Sequence, residues 1–218
     1  MSAVDPLREQ VAVASRELAA AGLVRATSGN VSAREGRRIA VTPSGAVLAE
    51  LTAGEVLVVD EGGAVMEGDG APTSELALHL GALERFGAGA VVHTHAPVAT
   101  ALGVVLDELP CVHYEMLALG GAVRVAPYRT FGSPELAHEV LTALEGRSAA
   151  LMANHGAITL GTDLAEAVER ARLLEWACEL YWRAAAVGRP RGLDAEALDA
   201  AHAQFRAKDY RSMLDMSG

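Results

Sequence analysis

Two histidines stand two residues apart in an apolar run, Val91-Val92-His93-Thr94-His95. Residues two apart on an extended strand face the same side, so their imidazoles can converge on one cation. A third histidine ends another apolar stretch, in Ala153-Asn154-His155-Gly156. Three imidazoles leave a fourth coordination position open, as a catalytic zinc requires. Taken alone, the pair reads more often as ordinary strand-end histidines, and the third histidine shifts that balance. Glu75 follows Pro72-Thr73-Ser74 at a helix-start signature. It is a helix-stabilising acid near the positive end of the dipole, or else a general base or displaceable fourth metal ligand. His79 lies four residues on, but the H-E-x-x-H zinc motif is absent, so His79 reads as packing or a surface hydrogen bond.

Three small polar loops offer hydroxyls and free backbone N–H groups: Thr27-Ser28-Gly29-Asn30, Thr42-Pro43-Ser44-Gly45 and Thr73-Ser74. Such nests and helix N-termini bind phosphate without a lysine, although the same residues also dominate ordinary turns. Neither G-x-x-x-x-G-K-[ST] nor G-x-G-x-x-G is present, so nucleotide binding has no support. Tyr114 and Tyr210 carry hydroxyls that can relay a proton to or from an alkoxide; as packing residues, Tyr114 is a core-edge side chain and Tyr210 a tail residue. The single lysine, Lys208, lies in a polar stretch with Arg206 and Arg211. A Schiff-base lysine needs a desolvated pocket to lower its pKa, so carbonyl activation here is expected to use a metal.

The 218 residues suggest one domain, with a C-terminal tail from about residue 190. A hydrophobic share of 51% supplies a sizeable core. The net charge of -10 argues against a general nucleic-acid binder; a small anion is still admissible, because local donors decide that. No apolar run approaches the roughly 20 residues that span a bilayer. Residues 1–10 carry Asp5, Arg8 and Glu9 and no apolar stretch, so a secretory signal is not expected. Cys111 and Cys178 read as reduced core thiols of a cytoplasmic protein.

The elements that must position these groups follow from periodicity and caps. Helices are expected over 5–22, from Thr73-Ser74 with a hydroxyl N-cap and Glu75 in the first turn, over 97–104, from Ser133 to about 145, from Asp163 to about 187, and over 194–206. Strands are expected over 30–34, 38–42, 56–59, 90–94, 123–126, 149–153 and 157–160, with 61–71 a loop. This interleaving implies an α/β or α+β class with helices layered on a sheet.

Seven segments, in order and spacing, resemble the class II aldolase/adducin family. They are Ala26-Thr27-Ser28-Gly29-Asn30-Val31-Ser32, Val41-Thr42-Pro43-Ser44-Gly45, Pro72-Thr73-Ser74-Glu75, Val91-Val92-His93-Thr94-His95-Ala96, His113-Tyr114, Ala126-Pro127-Tyr128 with Thr130-Phe131-Gly132, and Asn154-His155-Gly156. The resemblance implies a single-domain three-layer α/β/α sandwich around a mainly antiparallel sheet. It also implies a homotetramer of fourfold symmetry with active sites between subunits. It assigns His93, His95 and His155 to zinc, or another divalent transition metal, and makes Glu75 both ligand and acid/base. Thr27, Ser28, Gly29, Asn30, Ser44, Gly45, Thr73 and Ser74 would hold a substrate phosphate. Tyr114 would reach in from a neighbouring subunit, Tyr210 would assist from the tail, and Phe131 would line the far end of the pocket. The implied reaction is reversible cleavage of a ketose 1-phosphate, fuculose-1-phosphate-like, to dihydroxyacetone phosphate and an aldehyde. A 4-epimerase, a dehydratase or a decarboxylase of the same family is the alternative, the epimerase favouring aspartate at the Glu75 position. A non-catalytic adducin-head-like interaction module is the rival of another class, and retention of all three histidines with Glu75 argues against it.

Overall fold

The computed structural model describes residues 5–207. Pro6–Ala20 forms α1, with Asp5 as N-cap accepting from the Leu7 N–H. The strands β1 (Asn30–Glu35) and β2 (Arg38–Val41) form a hairpin, followed by β3 (Leu57–Val59) and β4 (Val65–Glu67). Then come α2 (Leu76–Arg85), β5 (Ala90–Thr94), α3 (Pro97–Gly103) and β6 (Glu108–Leu109). A 3₁₀ turn over Tyr114–Leu119 leads to β7 (Val123–Ala126), α4 (Pro134–Ala143), β8 (Ala149–Met152) and β9 (Gly156–Gly161). The long α5 (Leu164–Val187), capped by Asp163, and α6 (Ala195–Ala207) complete the described chain.

The nine strands form one sheet in the order β4-β3-β2-β1-β5-β9-β8-β7-β6. Every neighbouring pair is antiparallel except β7 with β8. Side-chain alternation divides the core between the two faces. Val92 of β5 packs with Val11 and Leu18 of α1, Ala99 of α3 and Ala171 and Leu174 of α5. Val91 packs on the other face with Leu78 and Leu83 of α2 and Leu136 and Val140 of α4. The layers are therefore helix, sheet, helix, as the resemblance implied. Among the described residues, no helix is long and apolar enough to cross a membrane. Cys111 and Cys178 are buried and unpaired, and burial pushes both thiols up.

The expected elements form, with three differences. The loop over 61–71 contains the short edge strand β4, and β6 and the 3₁₀ turn were not anticipated. Glu75 is the N-cap of α2 rather than a first-turn residue, and its side chain makes no capping hydrogen bond. That carboxylate is turned away from the helix end, toward β5.

Candidate active site and metal centre

The pairing of β1 with β5 sets Asn30 opposite His93 and Ser32 opposite Val91. His93 therefore projects from the sheet face that carries α2. His95 follows directly after the end of β5, and His155 sits in the turn between β8 and β9. That turn needs Asn154 in the left-handed region, at φ 55°, which Asn tolerates better than most residues. It also needs Gly156, where a Cβ would lie 2.2 Å from the Thr94 carbonyl oxygen and 3.2 Å from Cε1 of His93.

The three imidazoles meet. Their coordinating nitrogens lie within 4.8 Å of one another, and Nε2 of His93 stands 3.0 Å from Nε2 of His95. Ring centroids lie 4.8, 4.9 and 5.0 Å apart, with planes inclined by 71°, 75° and 89° in the three pairs. The Nδ1 of His93 lies 2.9 Å from the Ala157 carbonyl oxygen. A carbonyl only accepts, so Nδ1 carries a proton and Nε2 is the ring nitrogen left to face an ion. Burial pushes the His95 and His155 imidazoles down to about 4, so both are neutral at pH 7 and present lone pairs.

Glu75 closes the fourth side. Its Oε2 is 3.1 Å from Nε2 of His93 and accepts from the Asn30 carboxamide at 2.9 Å. Its Oε1 is 3.5 Å from Nε2 of His155 and is buried with no hydrogen-bond partner among the described residues. Burial opposes ionisation, but the His93 ring and the hydrogen bond from Asn30 lead the interactions that outweigh it and hold the carboxyl below the usual range. A tetrahedral ion at about 2.0–2.1 Å from each nitrogen sets nitrogens roughly 3.3 Å apart. Converging lone pairs and an orphaned buried carboxylate oxygen fit such a cation.

A cleft of about 300 Å³ opens beside this group. The loops over 27–30, 43–45 and 73–75 line one side, and all eight residues expected at the phosphate do so. Two of these loops are stitched together, because Thr73 N–H donates to the Thr42 carbonyl and Ser44 N–H to that of Ala71. Gly29 must be glycine, with φ 85° and a would-be Cβ 2.9 Å from the His93 carbonyl oxygen. The side chain of Asn30, however, is occupied by Glu75 and His79. Phe131 stands on the opposite rim, 69% exposed, joined by Tyr128, Arg129 and Asn154, to which the sequence reading gave no role.

Tyr114 does not line the cleft of its own chain. It is half-exposed and stacks on His113 and Phe205. Tyr210 lies outside the described residues. His79 is not a surface residue: it is fully buried and hydrogen-bonded at both ring nitrogens.

A His/His/His/Glu group that could hold a metal ion, set beside polar loops on this sheet, fits the class of metal-assisted carbonyl enzymes. The chain matches the family described as class II aldolase and adducin N-terminal domain over residues 9–182, and it belongs to that family. It is 37% identical over 210 residues to the 5-methylthioribulose-1-phosphate/5-deoxyribulose-1-phosphate aldolase of Rhodospirillum rubrum, covering 95% of each chain. It is 36% identical over 188 residues to the L-fuculose phosphate aldolase of Escherichia coli K12, covering 85% of this chain and 87% of that one. The solved structure of an L-fuculose 1-phosphate aldolase superposes with a TM-score of 0.88 at 32% identity, over 94% of this chain and 98% of the other. The protein is thus a class II aldolase-type enzyme, an aldehyde-lyase.

Proposed function

We propose that this single domain is a zinc-dependent, cytoplasmic aldolase that reversibly joins dihydroxyacetone phosphate to a small aldehyde to give a ketose 1-phosphate. The observation that carries the reading is the orphaned Oε1 of Glu75, buried beside His155 in a group of three imidazoles whose coordinating nitrogens meet. His93, His95 and His155 hold the ion, which when bound supplies a Lewis acid beside the substrate carbonyl. The hydroxyls and N–H groups of Thr27, Ser28, Gly29, Ser44, Gly45, Thr73 and Ser74 bind the phosphate, with Asn30 contributing through its backbone. In the direction of synthesis, ionised Glu75 removes a proton from C3 of dihydroxyacetone phosphate. The C3–C4 bond then forms to the aldehyde carbon. The aldehyde oxygen takes its proton from the phenol of Tyr114 of a second copy and becomes the C4 hydroxyl. Cleavage is the reverse.

Exposure of Tyr114 away from its own cleft supports a site shared between copies, in a homotetramer. Tyr210 is assigned an assisting role in the same proton transfer. At the far end, Tyr128 and Phe131 present aromatic surface to the cleft, which favours an aldehyde ending in an apolar carbon or thioether. That is the feature shared by the substrates that name the relatives: fuculose, 5-deoxyribulose and 5-methylthioribulose phosphates.

The test is product analysis with zinc-loaded protein on fuculose 1-phosphate, 5-deoxyribulose 1-phosphate, 5-methylthioribulose 1-phosphate and ribulose 5-phosphate. Release of dihydroxyacetone phosphate from a ketose 1-phosphate is expected. Isomerised pentulose phosphate without it shows an epimerase, loss of water a dehydratase, and no turnover with no bound metal an interaction module.

A further inference from the structure

Asn30 and Ser32 are two apart on β1 and share its α2-facing side, while Glu75 and His79 are one helical turn apart. The four interlock. His79 Nδ1 lies 2.7 Å from the Ser32 hydroxyl, and Nε2 lies 2.5 Å from Oδ1 of Asn30. The Asn30 amide in turn donates to Oε2 of Glu75 at 2.9 Å. Asn30, Ser32, Glu75 and His79 are all buried.

Donor and acceptor chemistry fixes the polarity of this chain. Ionised Glu75 only accepts, so the amide nitrogen of Asn30 must face it and Oδ1 must face His79. His79 Nε2 therefore carries the proton, and Nδ1 accepts from the Ser32 hydroxyl. Every hydrogen bond runs toward Glu75, and the imidazole is neutral because burial pushes it down to about 4.

We propose that His79 is a positioning residue for Glu75: through Asn30 it holds Oε2 and so aims the unpartnered Oε1 at the substrate carbon. Without the Nε2–H, the Asn30 amide is free to turn over and set its oxygen against the carboxylate, which drives the carboxylate out of line. The proposal rests on the reading of Glu75 as the proton-transferring group.

The test uses full-length protein with two substitutions of opposite reach. His79→Gln places its amide N–H near the position of Nε2, whereas His79→Asn places it near Nδ1, short of Asn30. His79→Asn is expected to lower kcat about tenfold or more, the range seen on disturbing groups behind a metal site. KM should stay within about twofold, because phosphate binding is untouched. His79→Gln should recover most of kcat at a similar melting temperature. Independently of activity, ¹⁵N NMR of metal-free protein should show His79 as the Nε2–H tautomer. The Asn30 side-chain amide resonances should persist in the Gln variant and shift in the Asn variant. An Nδ1–H tautomer, equal kcat loss in both variants, or no loss in either overturns the proposal. If the wild type cleaves no ketose 1-phosphate, the functional reading fails, and the tautomer and amide resonances alone decide the positioning.

Discussion

Replacing Gly156 by alanine tests how tightly the metal triad depends on one backbone contact. The added Cβ would lie 2.2 Å from the Thr94 carbonyl oxygen, 3.1 Å from Cδ2 of His95 and 3.2 Å from Cε1 of His93. Reaching a tolerable separation of about 3.0 Å opens the end of the β5–β9 pair by about 0.8 Å. Thr94 sits between His93 of β5 and His95 just beyond it, and Gly156 follows the third histidine, so the opening moves His155 away from His93 and His95. Site geometry tolerates about 0.5 Å, and a displacement near 1 Å costs on the order of 10²-fold in rate. Overpacking adds about 1–3 kcal/mol of destabilisation. Gly161→Ala is the control, because it sits at the other end of β9 and its Cβ would lie 2.4 Å from the Ala167 nitrogen of α5 and 2.5 Å from the carbonyl oxygen of its N-cap Asp163. Competition with a chelating dye, kcat and thermal unfolding would be measured on both variants. Both should lose stability, but Gly156→Ala alone should lose metal affinity and rate. A Gly156→Ala variant that binds zinc and turns over like wild type refutes the reasoning.

Glu75→Gln keeps the three imidazoles but removes the base. Turnover should fall by about 10²–10⁴-fold while the metal content measured by elemental analysis stays close to wild type; unchanged activity removes Glu75 from its role. The metal-free chain should weaken in acid. The His79 imidazole is held at about 4 against an ordinary 6.5, so between these values the unfolded chain binds more protons and stability rises with pH. Urea unfolding should therefore show about 3 kcal/mol lost from His79 alone as pH falls from 6.5 toward 4. His95 and His155 act in the same direction, and a flat profile contradicts this. Cys111 and Cys178 should resist thiol reagents in the native state and react only on unfolding, as stopped labelling followed by mass spectrometry would show.

The histidine group was legible because its parts obey local rules. The His93 and His95 spacing puts two imidazoles on one side of a strand, and apolar flanks marked β5, β8 and β9. Glu75 was legible only through its neighbours in sequence. Helix-start propensity placed it in the first turn, whereas it is the N-cap residue of α2, with its carboxylate held by Asn30 beside His93 instead of capping the helix. His79 was misread because its partners lie 47 and 49 residues away, a separation to which helical periodicity is blind. The strands β4 and β6 were missed because each is two or three residues long and pairs at one edge of the sheet. Their stability comes from the neighbouring strand rather than from their own pattern. The role of Tyr114 lies outside what one chain can display, because the reading requires a second copy.

The most direct test of the metal site is retro-aldol activity plotted against bound zinc. Chelator-treated protein would be titrated with zinc while dihydroxyacetone phosphate release from a ketose 1-phosphate is followed. The account predicts activity that rises in proportion to zinc and saturates at one ion per chain, with triple replacement of His93, His95 and His155 abolishing both. Full activity in the metal-free protein, or stoichiometric zinc binding that survives loss of the three histidines, would contradict it.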